Sequence, residues 1–495
     1  MDWIVSLTPE AAPDLFAALA NPPSGAGIVE LRLDLFPDID IAAAVSSCSL
    51  PILATVRSGA EGGVGPDDPV IRSAVLRAAR EAGAALLDLE HRRDGELIDK
   101  LGLSPEQIVL SWHDPEATPA DLEATAERMI ERPARWVKIV PTARCLSDLQ
   151  AVLDLHQEFN SGTPLQRRLL TFAMGSPGLA SRYLAPLLGP PVGYSAWTKD
   201  APAAPGQLTI ERTEAVISHL SAPPQRLYGV VGAEVAGSLS PILHAAGYRA
   251  LGLPYILLPV SAPHREELSM LFASRGNTLF DNCSLEARGW AVTSPYKREA
   301  AASADQPAPR VQRAGAANTL ILGSDHIIAE NTDADGVVGS LTTLGIDPCG
   351  RSAVVQGSGG AARGAAVGLY LAGADVFLRS RSVERAQRVA DEIGVGWCPP
   401  DRLPKESQIL VNATPLGSER DEPGPFEEQE IARAAVAVDM VYADFETHFA
   451  ARARDLGVAL ADGREVLLHQ GYAQFAAFTN SLPPKEEMRK ALRVL

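Results

Sequence analysis

The chain has 495 residues, 46% of them hydrophobic and 21% charged, which suits a soluble globular protein of two to four domains. Its 44 Lys and Arg against 61 Asp and Glu leave a net charge of −17 with no basic arm, so neither a nucleic acid nor a membrane surface is an expected partner. Five cysteines (Cys48, Cys145, Cys283, Cys349, Cys398) lie far apart without CxxC spacing, which points to reduced thiols in a cytoplasmic setting and away from a metal site; no apolar run is long enough for a bilayer.

In chain order, strand-like runs fall at Trp3–Leu7, Ile28–Leu35, Ile52–Arg57, Ala85–Glu90, Ile108–His113, Trp136–Pro141, Arg168–Met174 and Val192–Trp197. Helix-like segments such as Asp67–Ala82, Thr118–Glu131 and Ser147–Phe159 separate them. Eight β units with helical crossovers in about 220 residues predict an α/β fold, a (β/α)₈ barrel of the TIM type. Polar residues interrupt the apolar runs near their carboxyl ends: Glu30 and Arg32, Arg57, Asp88 and Glu90, His113, Lys138. In a barrel those ends converge on one mouth, where catalysis occurs. Arg182 and Gln207 belong to loops on the same rim.

Lys138 sits in the middle of the buried-looking run Trp136–Pro141. A buried ammonium loses its proton, pairs with an acid, or snorkels its head out of the core. A neutral amine attacks a ketone to form an imine. Arg32, Arg57 and Arg182 are expected to depress the lysine pKa and to hold a carboxylate. His113, on the adjacent strand, reads as a proton shuttle, with a hydrogen-bonded core histidine as the alternative.

These residues fall in strings that resemble the type I 3-dehydroquinate dehydratases: Glu30-Leu31-Arg32-Leu33-Asp34, Thr55-Val56-Arg57-Ser58 running to Glu61-Gly62-Gly63, Ser111-Trp112-His113-Asp114, Val137-Lys138-Ile139, Met174-Gly175 running to Ser181-Arg182, and Ala204-Pro205-Gly206-Gln207. The resemblance covers about residues 1–220. It implies Lys138 as Schiff-base lysine, His113 as general acid and base, and Glu30 as the group orienting the histidine. It also implies Ser6, Glu30, Arg32, Arg57, Arg182 and Gln207 as substrate contacts. Ala203 stands where the family usually has serine, which removes one hydroxyl from the closing loop.

Ser221-Ala222-Pro223-Pro224-Gln225-Arg226 reads as a linker. A strand at Leu227–Val231 follows, then Ser238-Leu239-Ser240-Pro241 opening a helix to Leu251. Farther on, Ser352–Gln356 runs into Gly357-Ser358-Gly359-Gly360-Ala361-Ala362 and a helix: the strand, glycine turn and helix of a dinucleotide site. After the next strand, Asp375–Leu378, stands Arg379-Ser380-Arg381-Ser382 where an NAD site would carry an acid, so NADP is favoured over a merely solvated basic turn.

With Val292-Thr293-Ser294-Pro295-Tyr296-Lys297, Ala317-Asn318-Thr319, Asn331-Thr332-Asp333, Asn412-Ala413-Thr414-Pro415, Tyr442 and Gln470-Gly471, residues 226–495 resemble the shikimate dehydrogenases. The resemblance implies Lys297 and Asp333 as the proton-transfer pair, and Ser238 and Ser240 on the substrate carboxylate. Thr293, Asn318, Asp333, Tyr442 and Gln470 would contact the ring hydroxyls. Gly357, Ser358, Gly359, Gly360, Ala361, Ser380, Arg381, Ser382, Thr414 and Gly463 would hold NADP. Ala291 replaces a frequent asparagine. The expected domains are 1–222, then a substrate lobe of 226–340 completed by a helix within 464–495, and a Rossmann NADP lobe of 341–463.

The resemblances together imply a fused enzyme that dehydrates 3-dehydroquinate to 3-dehydroshikimate and reduces that to shikimate with NADPH, as a monomer or dimer. A non-catalytic quinate-sensing repressor and an NAD-preferring quinate dehydrogenase are the alternatives; covalent trapping at Lys138 separates the first, and cofactor preference the second.

Overall fold

The computed structural model describes residues 1–10, 14–160, 162–163, 166–276, 278–281, 285–420 and 422–493; Cys283 and the last two residues of the C-terminal segment lie outside them. Three sheets organise the chain. The first holds eight parallel strands: β1 (Asp2–Leu7), β2 (Ala26–Arg32), β3 (Ile52–Thr55), β4 (Leu86–Glu90), β5 (Ile108–His113), β6 (Trp136–Val140), β7 (Leu169–Thr171) and β8 (Val192–Ala196). Their order is β7-β6-β5-β4-β3-β2-β1-β8, with a helix or turn in each connection. This is the expected α/β barrel with one seam, because β7 and β8 do not pair with each other. At the seam Phe172 and Tyr194 meet instead, ring centroids 5.9 Å apart.

Strand alternation sorts the barrel interior by height. Ile4, Ile28, Leu53, Leu86, Val109, Trp136, Leu170 and Val192 form an apolar floor. Two residues along, on the same face, come Ser6, Glu30, Thr55, Asp88, Ser111, Lys138, Phe172 and Tyr194. Every strand but β7 therefore places a polar group directly above the floor. The other strand faces pack on the helices.

The second sheet runs in the order of the strands Tyr255–Ser261, Arg226–Gly232, Ala287–Val292, Thr319–Leu322, Ile327–Glu330 and Gln306–Pro307. The third is all parallel: Gly396–Trp397, Asp375–Arg379, Ser352–Gln356, Ser407–Asn412, Val436–Asp439 and Ala459–Ala461, the open doubly wound arrangement expected of a nucleotide lobe. Two C-terminal helices, Gly463–Thr479 and Lys485–Arg493, return to the second sheet, where Leu467, Phe475, Phe478, Met488 and Leu492 join Tyr228, Leu243 and Leu257 in one cluster. One expected helix is thus two.

The barrel and the second sheet share a core. Tyr183, Ile210, Val216 and Ile217 of the last barrel helices cluster with Leu227, Ile242, Ile256 and Val260. The core of the nucleotide lobe also takes in Ala314, Ala316 and Val337 before it in the chain and Val466 of the returning helix. Among the described residues no helix is long and apolar enough to cross a membrane.

Two histidines are buried neutral. His156 Nε2–H donates to the Thr171 carbonyl at 2.9 Å and Nδ1 accepts from Asn160 at 2.9 Å, tying a barrel helix to β7. Burial lowers its pKa from 6.5 to about 4, and that of His244 to about 3. The unfolded chain takes up these protons below pH 6.5 while the folded chain does not, so stability falls as pH drops, by about 2 kcal/mol per histidine at pH 5. Thermal midpoints measured at pH 7 and pH 5 should show this loss, and His156→Gln should show a smaller one.

Candidate active sites

The mouth of the barrel is an ion network. Lys138 Nζ lies 3.0 Å from Asp88 and 3.7 Å from Glu30, donates to the Tyr194 hydroxyl at 3.3 Å, and sits over that ring. Its nearest charged neighbours are thus carboxylates, a correction to the expected surround of guanidiniums. Glu30 accepts from Ser6 at 2.6 Å and from Thr55 at 3.0 Å, and Gln207 donates to Ser6 at 3.1 Å. Ser6, Glu30, Lys138 and Gln207 therefore converge as expected. Ala203 contributes through its backbone: its N–H donates to Gln207 Oε1 at 2.9 Å.

Glu30 does not touch His113, which corrects a second expectation. β2 is bonded to β1 and β3, so its side chains reach those neighbours first. The carboxylate on His113 is Glu61, from the Gly59–Glu61 turn after β3. Its Oε2 accepts the His113 backbone N–H at 3.0 Å and lies 3.1 Å from Nδ1. Burial, then the charges of Arg57, Lys138 and Arg32, drive the His113 pKa well below its ordinary value. The imidazole is neutral; because Glu61 Oε2 already accepts the His113 backbone N–H and an Arg57 N–H, we assign that oxygen as the acceptor of Nδ1–H too, which leaves Nε2 as a base. Burial likewise pushes Glu61 up to about 8, against the pull of Arg57 and helped by Glu90 and Asp88.

Arg57 is fully engaged: Asp88 at 2.7 Å, Glu61 and Glu90 each at 3.2 Å, and Ser111 at 3.0 Å. Burial opposes its charge, but these acids outweigh it and its pKa is raised. A buried cluster of this kind survives only when each charge is compensated. Arg32 is paired in fork geometry with Asp34, at 2.8 and 2.7 Å. Both arginines are thus paired with acids, Arg57 with three and Arg32 with one. Arg182 is different. It donates to the Pro205 carbonyl at 3.0 Å, stacks over Phe172, has no acid partner among the described residues, and burial lowers its pKa to about 10. An anion would relieve that desolvated cation.

A second site lies between the other two sheets. Lys297 Nζ and Asp333 Oδ2 are 2.5 Å apart, both buried, each opening a helix (Lys297–Ala302 and Asp333–Thr343). Asn318 donates to Asp333 Oδ1 and to the Thr332 hydroxyl, each at 3.0 Å, and Gln470 reaches the same hydroxyl at 3.2 Å. Gln474, which the sequence did not single out, donates to Thr319 at 2.8 Å and the Asn318 carbonyl at 3.2 Å. It lies one helical turn beyond Gln470, so helical spacing was the available signal. Ser238 Oγ accepts the Ser240 N–H at 3.2 Å. Thr293 follows the strand Ala287–Val292 and is half-buried. Ala291 is buried in the apolar cluster against which Tyr442 packs.

The glycine turn follows Gln356. Gly357 has φ +134, open to glycine and adverse to other residues. Gly359, exposed, caps the helix Gly360–Leu371, and a side chain there would meet open space; Ser358 and Ala361 flank it, half-buried. Space, free N–H groups and a helix N-terminus suit a pyrophosphate. Gly360 has a further role: its Cβ would stand 2.6 Å from Lys297 Cβ, so its absence lets the nucleotide helix touch the proton-transfer lysine. Arg381 is exposed with no partner among the described residues, and Ser380 is buried beside it. Ser382 is a helix cap, accepting from Arg385 N–H at 3.2 Å and donating to Glu384 at 2.8 Å, so its hydroxyl is already committed. Arg379 turns inward to Glu430 and Gln356. Thr414 folds its own loop through Asn412 at 2.7 Å, and Gly463 lets its helix pass against the Val441 carbonyl.

The family model for type I 3-dehydroquinase matches residues 4–222, that for the shikimate dehydrogenase substrate binding domain residues 230–320, and that for the shikimate 5'-dehydrogenase C-terminal domain residues 463–493. The chain is 27% identical to the chloroplastic bifunctional 3-dehydroquinate dehydratase/shikimate dehydrogenase of Arabidopsis thaliana, over 93% of this chain and 79% of that protein. It is 35% identical to an NADP(+) shikimate dehydrogenase of Halorubrum lacusprofundi, over 54% of this chain and 98% of that one. Among solved structures, the shikimate dehydrogenase of Aquifex aeolicus covers 54% of this chain and 98% of its own with a TM-score of 0.50 and 30% identity.

Proposed function

The chain belongs to the type I 3-dehydroquinases in its first half and to the shikimate dehydrogenases in its second, and from that premise we propose how its two sites share the work. It is a bifunctional enzyme of the shikimate pathway, a lyase and an NADP-dependent oxidoreductase in one chain. The observation that carries this is the presence together of a buried lysine at a barrel mouth and a Lys–Asp pair beside a glycine turn. On this reading residues 1–222 dehydrate; 226–340 with 464–495 bind the product; 341–463 bind NADP.

In the barrel, Lys138, ion-paired at rest, passes one proton to solvent and attacks the ketone of 3-dehydroquinate; a C–N bond forms and the carbonyl oxygen leaves as water. His113 Nε2 takes a proton from the carbon next to the imine, and the electron pair moves toward nitrogen. The β-hydroxyl then departs as water with the proton His113 returns, and hydrolysis frees 3-dehydroshikimate. Arg182 takes the carboxylate and Gln207 a hydroxyl. Glu61 holds the Nδ1–H so that Nε2 faces the substrate, while Arg57 and Arg32 hold the acids of the mouth in place.

In the second site, Ser238 and Ser240 take the carboxylate, with Tyr442, Thr293, Asn318 and Gln470 on the hydroxyls. Lys297 gives a proton to the carbonyl oxygen and Asp333, fixed by Asn318, holds the ammonium in line. NADPH, when bound, supplies hydride. The turn Gly357–Ala361 would hold its pyrophosphate and Arg381, with Ser380, a 2′-phosphate. A cytoplasmic location accompanies the reading, consistent with the absence of a disulfide among the described cysteines.

The direct test supplies 3-dehydroquinate and NADPH together and follows NADPH oxidation; none at all would sink the reading. Arg381→Ala should raise KM for NADPH about tenfold or more, the scale of a charge-assisted hydrogen bond, and leave NADH use unchanged. An equal loss with NADH would remove the 2′-phosphate assignment.

A further inference from the structure

The loop between the strand Arg226–Gly232 and the helix Ser240–Ala250 presents Ser238 and Ser240 to the second site. That loop is held from outside its own lobe. At its first end Glu234 accepts from the hydroxyl of Ser176, its two oxygens 2.9 and 2.7 Å away, and the Ser176 oxygen lies 2.9 Å from the Ser261 hydroxyl, which can donate to it. At its other end Arg212 donates to the Ser238 carbonyl at 2.7 Å and reaches that of Ala236 at 3.4 Å. Ser176 stands in the barrel loop after β7, and Arg212 on the last barrel helix, Ile210–Ile217.

We propose that Arg212 is a positioning residue for the reduction: through the backbone of residues 236–238 it sets where the Ser238 and Ser240 hydroxyls stand, so the barrel completes the substrate site of the other half. The inference rests on the functional reading above. The anchor is firm at its base. Tyr183, 1% exposed, clusters with Ile210, Val216 and Ile217 of the helix that carries Arg212. Its helix is fixed by Glu214, which accepts from Trp3 Nε1 at 2.9 Å, and by Ser218, which accepts from Arg249 at 2.9 Å. Helix and lobe share one apolar core. At the far end Ser238 Oγ accepts the Ser240 N–H at 3.2 Å, which ties the two serines to each other. A guanidinium that spans two carbonyls of one turn selects a single loop conformation, whereas water in its place would accept several.

Arg212 touches neither the barrel mouth residues nor the Lys297–Asp333 pair, so its removal should act on substrate affinity alone. In the full chain, Arg212→Met should raise KM for shikimate about tenfold, leave kcat within twofold, and leave KM for NADP and the dehydration rate unchanged. Arg212→Lys, which can reach one carbonyl, should recover part of the loss, and Ser176→Ala should add a smaller one from the other end. Unchanged KM in Arg212→Met overturns the proposal. So does a loss of kcat, NADP affinity and dehydration together, which marks a general structural defect. Absence of any reduction by the unaltered chain would instead remove the functional reading, and this inference with it.

Discussion

Lys138→Ala is expected to lose dehydration by a factor on the order of 10⁶, the scale on which removal of a covalent nucleophile is felt, while reduction of 3-dehydroshikimate continues. Borohydride added with 3-dehydroquinate should add covalent mass to the unaltered protein at Lys138 and none to the variant. The alanine also strips the positive partner from Asp88 and Glu30, 3.0 and 3.7 Å away, which destabilises a buried cluster. Lys138→Met keeps the volume; an equal loss of turnover in both, with the melting temperature of the methionine variant near that of the parent, assigns the effect to chemistry. Retention of dehydration by either variant would end the imine mechanism.

The second large effect concerns the pair at 2.5 Å. Asp333→Asn keeps the shape and the bond from Asn318 but not the charge that steadies the Lys297 ammonium. Reduction should fall by about 10²–10⁴-fold in kcat, the range of general acid–base catalysis, with dehydration untouched. Lys297→Met should do the same. If the asparagine variant instead raises only the KM for shikimate, Asp333 binds a hydroxyl and plays no part in proton transfer.

The sequence showed the barrel and its lysine because strand alternation leaves a direct signature: a polar residue two places beyond an apolar one, on strand after strand. It also showed the glycine turn, whose strand and helix neighbours are local. What it hid depends on contacts between distant segments. Glu61 stands in the string Thr55–Gly63, yet it lies in a short turn with no periodicity to aim it, and Glu30 takes the histidine role from the family resemblance alone. Arg57 looked like a free cation, since a sequence cannot count the acids that fold around it. Ser382 looked like a phosphate ligand and is a helix cap, a role that the same serine fills equally well. Nothing in Ser176 or Arg212 announced a tie to residues across the linker.

The seam between β7 and β8 gives the barrel two free margins where a closed cylinder has none. Arg182 follows one margin, and its guanidinium already clasps the Pro205 carbonyl beyond the other; Phe172 leans on Tyr194 across the same gap. A molecule gripped by Arg182 on one bank and Gln207 on the other would lace the gap shut. What crosses the gap is side chains alone: these rings, that clasp, the Lys138–Tyr194 bond and the apolar floor, with no ladder of main-chain bonds between β7 and β8.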